Sequence, residues 1–301
     1  MIRNNAWFPA AAVVLGAVGG ATAQTLRDAG GLELRLDSPE VLLGMWQDAT
    51  PDAPETLEGD PDLALAQKSQ NPIGNLISFP FENNTEFDVG PEDGVVNVLN
   101  LKPVYPTALS DDWNLINRFI LPVIYQDERF PGEGSEFGLG DFTYQAFFVP
   151  RGGKVMWGVG PAITVPTNTD DRLGRDQWLL GPAFVVLYKP DRWLVGTLIQ
   201  NVWDIAGASD EPGVSLFSLQ YFVNYNLDDG WYLTSTPTMT ADWYADSSDR
   251  WTIPVGGGVG KLVRLGDVPV DLKLQTFWYA EAPDNGPEWA IQFTLKLLFP
   301  K

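Results

Sequence analysis

The sequence predicts an all-β fold, an antiparallel up-and-down transmembrane β-barrel of about 12 strands behind a short, partly helical or disordered N-terminal segment. Three observations predict it. From about Pro72 onward, apolar and polar residues alternate with period two over stretches of ten or more residues, longer than the usual globular strand of about 5–6. The stretches are even in number, as single-chain bacterial outer-membrane barrels require. Tryptophans gather at the ends of the stretches, where amphipathic rings form girdles at both membrane–water interfaces.

Composition narrows the function classes. The 301 residues carry 39 acidic and 19 basic side chains, a formal charge of −20, with no histidine and no cysteine. Without cysteine there is no disulfide framework, thiolate nucleophile or Cys-ligated metal centre. Without histidine there is no Ser-His-Asp relay, imidazole ligand or imidazole pH switch. The acidic balance excludes phosphate-backbone binding, so no nucleic-acid partner is expected. With 12 Trp, 16 Phe and 9 Tyr the chain is not a disordered acidic polymer.

Residues 1–23 read as a signal peptide: Arg3, an apolar run from Ala10 to Val18, and an Ala21-Thr22-Ala23 cleavage site. The run is too short to span a bilayer, which takes about 20 residues. Residues 24–71 form an acidic, turn-rich segment. Ser38-Pro39-Glu40 and Asp60-Pro61-Asp62 each place a capping residue before a proline, predicting short helices over 41–46 and 63–68. This segment reads either as a mobile linker or as a docked plug.

Residues 72–301 form the predicted barrel. In the last stretch Trp289, Ile291, Phe293, Leu295, Leu297 and Phe299 fall on one face, and Gln292, Thr294 and Lys296 on the other. Twelve segments begin near Ile73, Val95, Trp113, Asp141, Lys154, Gln177, Arg192, Val214, Trp231, Trp251, Val268 and Glu288. Connections after the even segments are tight, and those after the odd segments longer and more acidic, the pattern of periplasmic turns and outer loops. Trp113, Trp157, Trp193 and Trp231 adjoin the tight turns; Trp178, Trp203, Trp243, Trp251, Trp278 and Trp289 adjoin the long loops. Pro80, Pro103, Pro122, Pro161, Pro182, Pro237 and Pro254 fall inside segments, where proline cannot donate to the ladder. A belt of bulges or kinks is expected there. The glycine run 256–260 marks a place where the wall bends or something packs close.

The alternation places Arg118, Gln145, Gln220, Asn224, Asp242, Asp271, Lys273, Gln292 and Lys296 on the inner face as pore-lining candidates. Two readings stay open. Arg118, Lys273 and Lys296 form a cationic constriction opposite Asp242, Asp271 and Glu288, or the charges form a salt-bridge network that fills a narrow barrel. Leu216, Phe222, Phe277 and Tyr279 fall inward as well and suit a path for hydrophobic solutes. Loop acids such as Asp127, Glu133, Asp170 and Asp246 either bridge lipopolysaccharide through divalent cations or are simply solvated. Barrel enzymes generally use a histidine base, so no catalytic residue, cofactor or resident metal is expected.

Several motifs carry a resemblance. The run Asn71-Pro-Ile-Gly-Asn-Leu-Ile-Ser-Phe-Pro-Phe-Glu-Asn-Asn84 resembles the opening strand of a proteobacterial outer-membrane family related to the phenol-degradation meta-pathway barrel proteins. Asp112-Trp-Asn-Leu-Ile-Asn-Arg118, Trp157-Gly-Val-Gly-Pro161, Tyr225-Asn-Leu-Asp-Asp-Gly-Trp-Tyr-Leu-Thr234 and Arg250-Trp-Thr-Ile-Pro-Val-Gly-Gly-Gly-Val-Gly-Lys261 continue it in order. The resemblance implies an outer-membrane transport barrel for small hydrophobic or aromatic molecules. The alternative is a structural or adhesion-type barrel with a filled lumen, and a soluble exported sandwich stands third. Expected partners are outer-membrane lipid and lipopolysaccharide, the barrel-assembly machinery (Phe299 serving as the terminal aromatic) and a small-molecule solute.

Overall fold

The computed structural model describes residues 61–207 and 213–300. The signal peptide, the helix expected over 41–46 and most of the acidic segment lie outside them. Among the described residues one helix, α1 (Pro61–Ser69), precedes fifteen strand segments. These are β1 (Ile77–Val89), β2 (Gly94–Leu101), β3 (Val104–Ala108), β4 (Trp113–Gln126), β5 (Glu136–Leu139), β6 (Phe142–Pro150), β7 (Val155–Val165) and β8 (Gln177–Tyr188). There follow β9 (Trp193–Gly207), β10 (Ser215–Asn226), β11 (Trp231–Ser235), β12 (Thr238–Asp242), β13 (Trp251–Leu265), β14 (Val268–Glu281) and β15 (Trp289–Phe299). β2 with β3, β5 with β6, and β11 with β12 are single strands, each interrupted for two residues. The result is a closed 12-strand antiparallel barrel, sealed where β1 pairs with β15 from Ile77↔Phe299 to Phe87↔Trp289.

Closure turns the period-two pattern into an inside and an outside. β8 shows it most cleanly: Trp178, Leu180, Phe184 and Tyr188 are exposed, while Leu179, Ala183, Val185 and Leu187 are buried. An exposed apolar face is stable only against lipid, since water would leave it as a large aggregating patch. Strands of 11 to 15 residues, such as β7, β4 and β9, meet or exceed the roughly 9–11 that a tilted spanning strand needs.

The connections define two ends. One end carries the turns 109–112, 151–154, 189–192, 227–230 and 266–267, and the other carries 127–135, 166–176, 243–250 and 282–288. The connection after β1 departs from expectation: residues 90–93 make a turn as tight as those of the opposite end. β1 runs on to Val89, and positive φ at Asp88, Gly90 and Asp93 folds the chain back at once.

The prolines mark a belt of interrupted pairing, and the geometry explains it. Pro161 and Pro182 face each other across β7 and β8, whose register runs unbroken from Val155↔Tyr188 to Thr164↔Leu179. Neither proline has an N–H, so each presents its bare nitrogen to its other neighbour. There the ladders have gaps, between Gln145↔Ala162 and Phe148↔Val159 and between Leu180↔Trp203 and Ala183↔Gln200. Pro80 likewise keeps Lys296 on β15 while β2 ends opposite it. Pro103 and Pro237 fall in strand interruptions, and Pro254 adjoins a register shift. In the glycine run pairing with β14 is continuous from Pro254 to Leu265, but on the other side β11 pairs only as far as Gly258 and β12 resumes at Thr252, so part of the run faces the interruption between β11 and β12.

Candidate functional site: the barrel lumen

Pairing registers settle which side chains share the inner face. Arg118 sits on β4 and Gln145 on β6, and the two are direct partners. Gln220 and Asn224 lie on β10 opposite Leu198 and Leu194. Asp271 and Lys273 lie on β14 opposite Lys296 and Thr294 of β15, and Gln275 opposite Gln292. Asp242 is opposite Leu216. All nine candidates share the luminal face, as do Phe222, Phe277 and Tyr279. The ten named tryptophans fall on the outer face. Trp113 packs edge-on to Trp157 at 6.0 Å and Trp243 to Trp251 at 5.6 Å, and Trp289 stacks on Phe87 at 4.0 Å.

The luminal face is divided. From β4 to β10 it is largely apolar: Ile116, Phe147, Val149, Val185, Leu187, Leu194, Leu198 and Phe222 form one buried cluster with Ile73. From β11 through β15 to β1 it is polar and densely hydrogen-bonded. Gln275 donates to Gln292 (2.7 Å) and Thr236 (2.9 Å), and Gln292 donates to Asn84 (2.8 Å). Gln145 donates to Gln200 of β9 at 2.6 Å, passing over the small residues Ala162 and Ala183. Buried polar groups must be satisfied in this way or cost free energy.

A chamber of about 100 Å³ lies where the two halves meet. Its charged lining is Glu82, Lys102, Arg118, Asp271, Lys273 and Lys296, four cations and two carboxylates. Glu82 is paired with Lys102. Asp271 accepts hydrogen bonds from Tyr232 Oη (2.6 Å) and Ser69 Oγ (2.8 Å), with Lys296 Nζ at 3.9 Å. Tyr232 reaches it by lying over Gly260, its direct partner, where any Cβ would meet the ring. Of the acids expected opposite the cations, only Asp271 lines the chamber. Asp242 lies in a separate pocket at the long-loop end, beside Arg175 and Tyr244, and Glu288 is exposed on a loop. Sequence reasoning missed Glu82 and Lys102. The alternation Ser78-Pro80-Glu82-Asn84-Glu86 in β1 was the available signal for Glu82; the Pro103 interruption hid Lys102.

Helix α1 contacts several sides of the wall at once, which places it within the short-turn mouth. Ala66 and Leu65 pack with Leu262 of β13 and Leu298 of β15. Gln67 donates to Asp191 O, Gln70 to Asn226, and Asn71 to Met156 Sδ. Pro61 suits the first turn, where no N–H is needed. At the C-terminus Lys296 Nζ donates to Ser69 O at 2.7 Å, capping a free carbonyl at the negative end of the dipole. Lys189, in a short turn, is pushed below the usual lysine range, first by burial and then by Lys68 of α1. At the opposite end Arg172 pairs with Glu136 and Asp170. Hydrogen bonds from Arg172 hold the Asp170 carboxyl below the usual carboxylate range. Two of the loop acids thus already have a cation.

An apolar belt outside, a closed ladder and a polar seam inside define a single-chain outer-membrane β-barrel. Residues 80–234 match the family described as putative MetA-pathway of phenol degradation, and the chain belongs to that family. An outer membrane channel from Pseudomonas putida shares the fold, with a TM-score of 0.58 at 18% identity, covering 75% of this chain and 96% of that one. The NanC porin superposes with a TM-score of 0.46 at 7% identity, over 75% of this chain and 100% of that one. The translocator domain of the autotransporter NalP from Neisseria meningitidis gives 0.44 at 9% identity, over 79% and 93%. No curated protein matches the chain by sequence.

Proposed function

We propose that the protein is an outer-membrane conduit for small hydrophobic or aromatic molecules. The observation that carries this reading is the divided lumen. A solute can slide its apolar body along the β4–β10 side while its polar group exchanges hydrogen bonds along the other. Membership of a phenol-degradation family points the same way. Export through cleavage after Ala23 belongs to the proposal, and N-terminal sequencing of the mature protein tests it.

Two observations favour a second reading, a barrel with a filled lumen. Helix α1 sits in one mouth, and Gln145 and Gln200 join across the wall. Planar-bilayer conductance of mature protein, checked for a heat-dependent gel shift, separates the two. Discrete steps that fall when phenol is added are expected. Silence from properly folded protein would overturn the conduit in favour of the filled barrel.

A further inference from the structure

We infer that the luminal chamber is a binding site for a small organic anion, a carboxylate on a compact apolar or aromatic body. The inference rests on the conduit reading and names its substrate class. Its basis is a set of donors without acceptors. The two chamber carboxylates are already engaged, Glu82 by Lys102 and Asp271 by Tyr232, Ser69 and Lys296. Arg118 and Lys273 have no carboxylate oxygen within 4.0 Å among the described residues. Arg118 Nη1 is buried with no hydrogen-bond partner, and Lys273 reaches only Thr236 Oγ1 at 3.1 Å. Thr234 Oγ1 and Thr294 Oγ1 line the same chamber and are also buried without partners.

An unpartnered buried guanidinium nitrogen is costly, because desolvation is not offset by any bond. A carboxylate answers it directly, since its two oxygens match the guanidinium fork and accept from neighbouring hydroxyls. The remainder of the ligand meets Phe222 and Val104, which line the chamber and also adjoin the apolar cluster. The volume of about 100 Å³ admits a small acid, well short of the roughly 300 Å³ and more of drug-sized sites. The chain's net charge of −20 does not oppose this. Loop charges stand in water and are screened beyond about 8 Å, whereas the chamber's excess of cations is fixed in the wall.

Calorimetric titration of the full mature protein, folded in detergent, with benzoate, benzyl alcohol, benzylamine and chloride tests the site. Benzoate is expected to bind at least about tenfold tighter than benzyl alcohol, and benzylamine not to bind. Arg118→Gln is expected to weaken benzoate about tenfold. Glu82→Gln, which removes a chamber carboxylate, is expected to tighten it, a gain that a misfolded variant cannot produce. Equal affinity for benzoate and benzyl alcohol would overturn the proposal. So would benzoate binding no tighter than chloride, or an Arg118→Gln protein with unchanged affinity. Benzoate binding by a barrel that does not conduct would keep this inference and sink the conduit; conduction without benzoate preference would do the reverse.

Discussion

At the scale of single residues, the two tightest glycine contacts with backbone allow no side chain. A Cβ on Gly160 would lie 1.7 Å from Ala146 O, and one on Gly181 would lie 1.7 Å from Asn201 O. Backbone carbonyls cannot step aside as a flexible side chain would, so the Gly-Pro pairs hold the wall where the ladder is already thinned. Gly160→Val or Gly181→Val is expected to abolish the compact, heat-modifiable form on gels, while Val159→Ala, on the exposed face, leaves it intact. Asp271 is the other decisive residue. Asp271→Ala would strand the Tyr232 hydroxyl and leave Lys296 without its carboxylate, with only the Ser69 carbonyl, and is expected to cost about 3–5 kcal/mol, since breaking a buried pair leaves a charge uncompensated. The drop would be read from denaturant unfolding followed by tryptophan fluorescence. Asp271→Asn, which keeps an acceptor in place, is expected to cost less.

At the scale of elements, α1 is held mostly by polar contacts. Among its described side chains three apolar ones, Leu63, Leu65 and Ala66, are buried or half-buried, and the bonds from Gln67, Ser69 and Lys296 supply the rest of its hold. A helix of 9 residues is not stable alone, so its docking depends on the barrel and not the reverse. Deleting residues 61–69 is expected to leave the barrel heat-modifiable and to raise single-channel conductance. Unchanged conductance in a folded deletion variant would mean that α1 does not obstruct the path. The helix itself was legible, because Asp60-Pro61-Asp62 announces a start ahead of an apolar-polar run. Its location was not, because nothing in a nine-residue pattern says which wall it meets.

At the scale of the whole molecule, unequal loops orient the barrel in the membrane. A cysteine placed at Asp246, in the connection 243–250, is expected to react with a membrane-impermeant maleimide on intact cells. One placed at Asp229, in the turn 227–230, is expected to react only after permeabilisation. The chain has no cysteine of its own, so the background is clean. Labelling with the opposite asymmetry would invert the orientation and exchange the mouth that α1 occupies.

The sequence by itself determined the class of fold, the strand count and, within unbroken strands, the face on which a side chain lies. Those properties follow from a period of two and from turn chemistry, and both are local. Arg118, Lys273 and Lys296 were therefore readable as inward. Tertiary structure alone decided which inward residues meet. Barrel closure brings Asp271, Lys273 and Lys296 of β14 and β15 into one chamber with Glu82 of β1 and Arg118 of β4, while Asp242 stands at the far end, because which residues share a height depends on stagger between strands distant in sequence. The split of the lumen into an apolar and a polar side also appears only on closure, when β8 and β14 come to stand in the same wall.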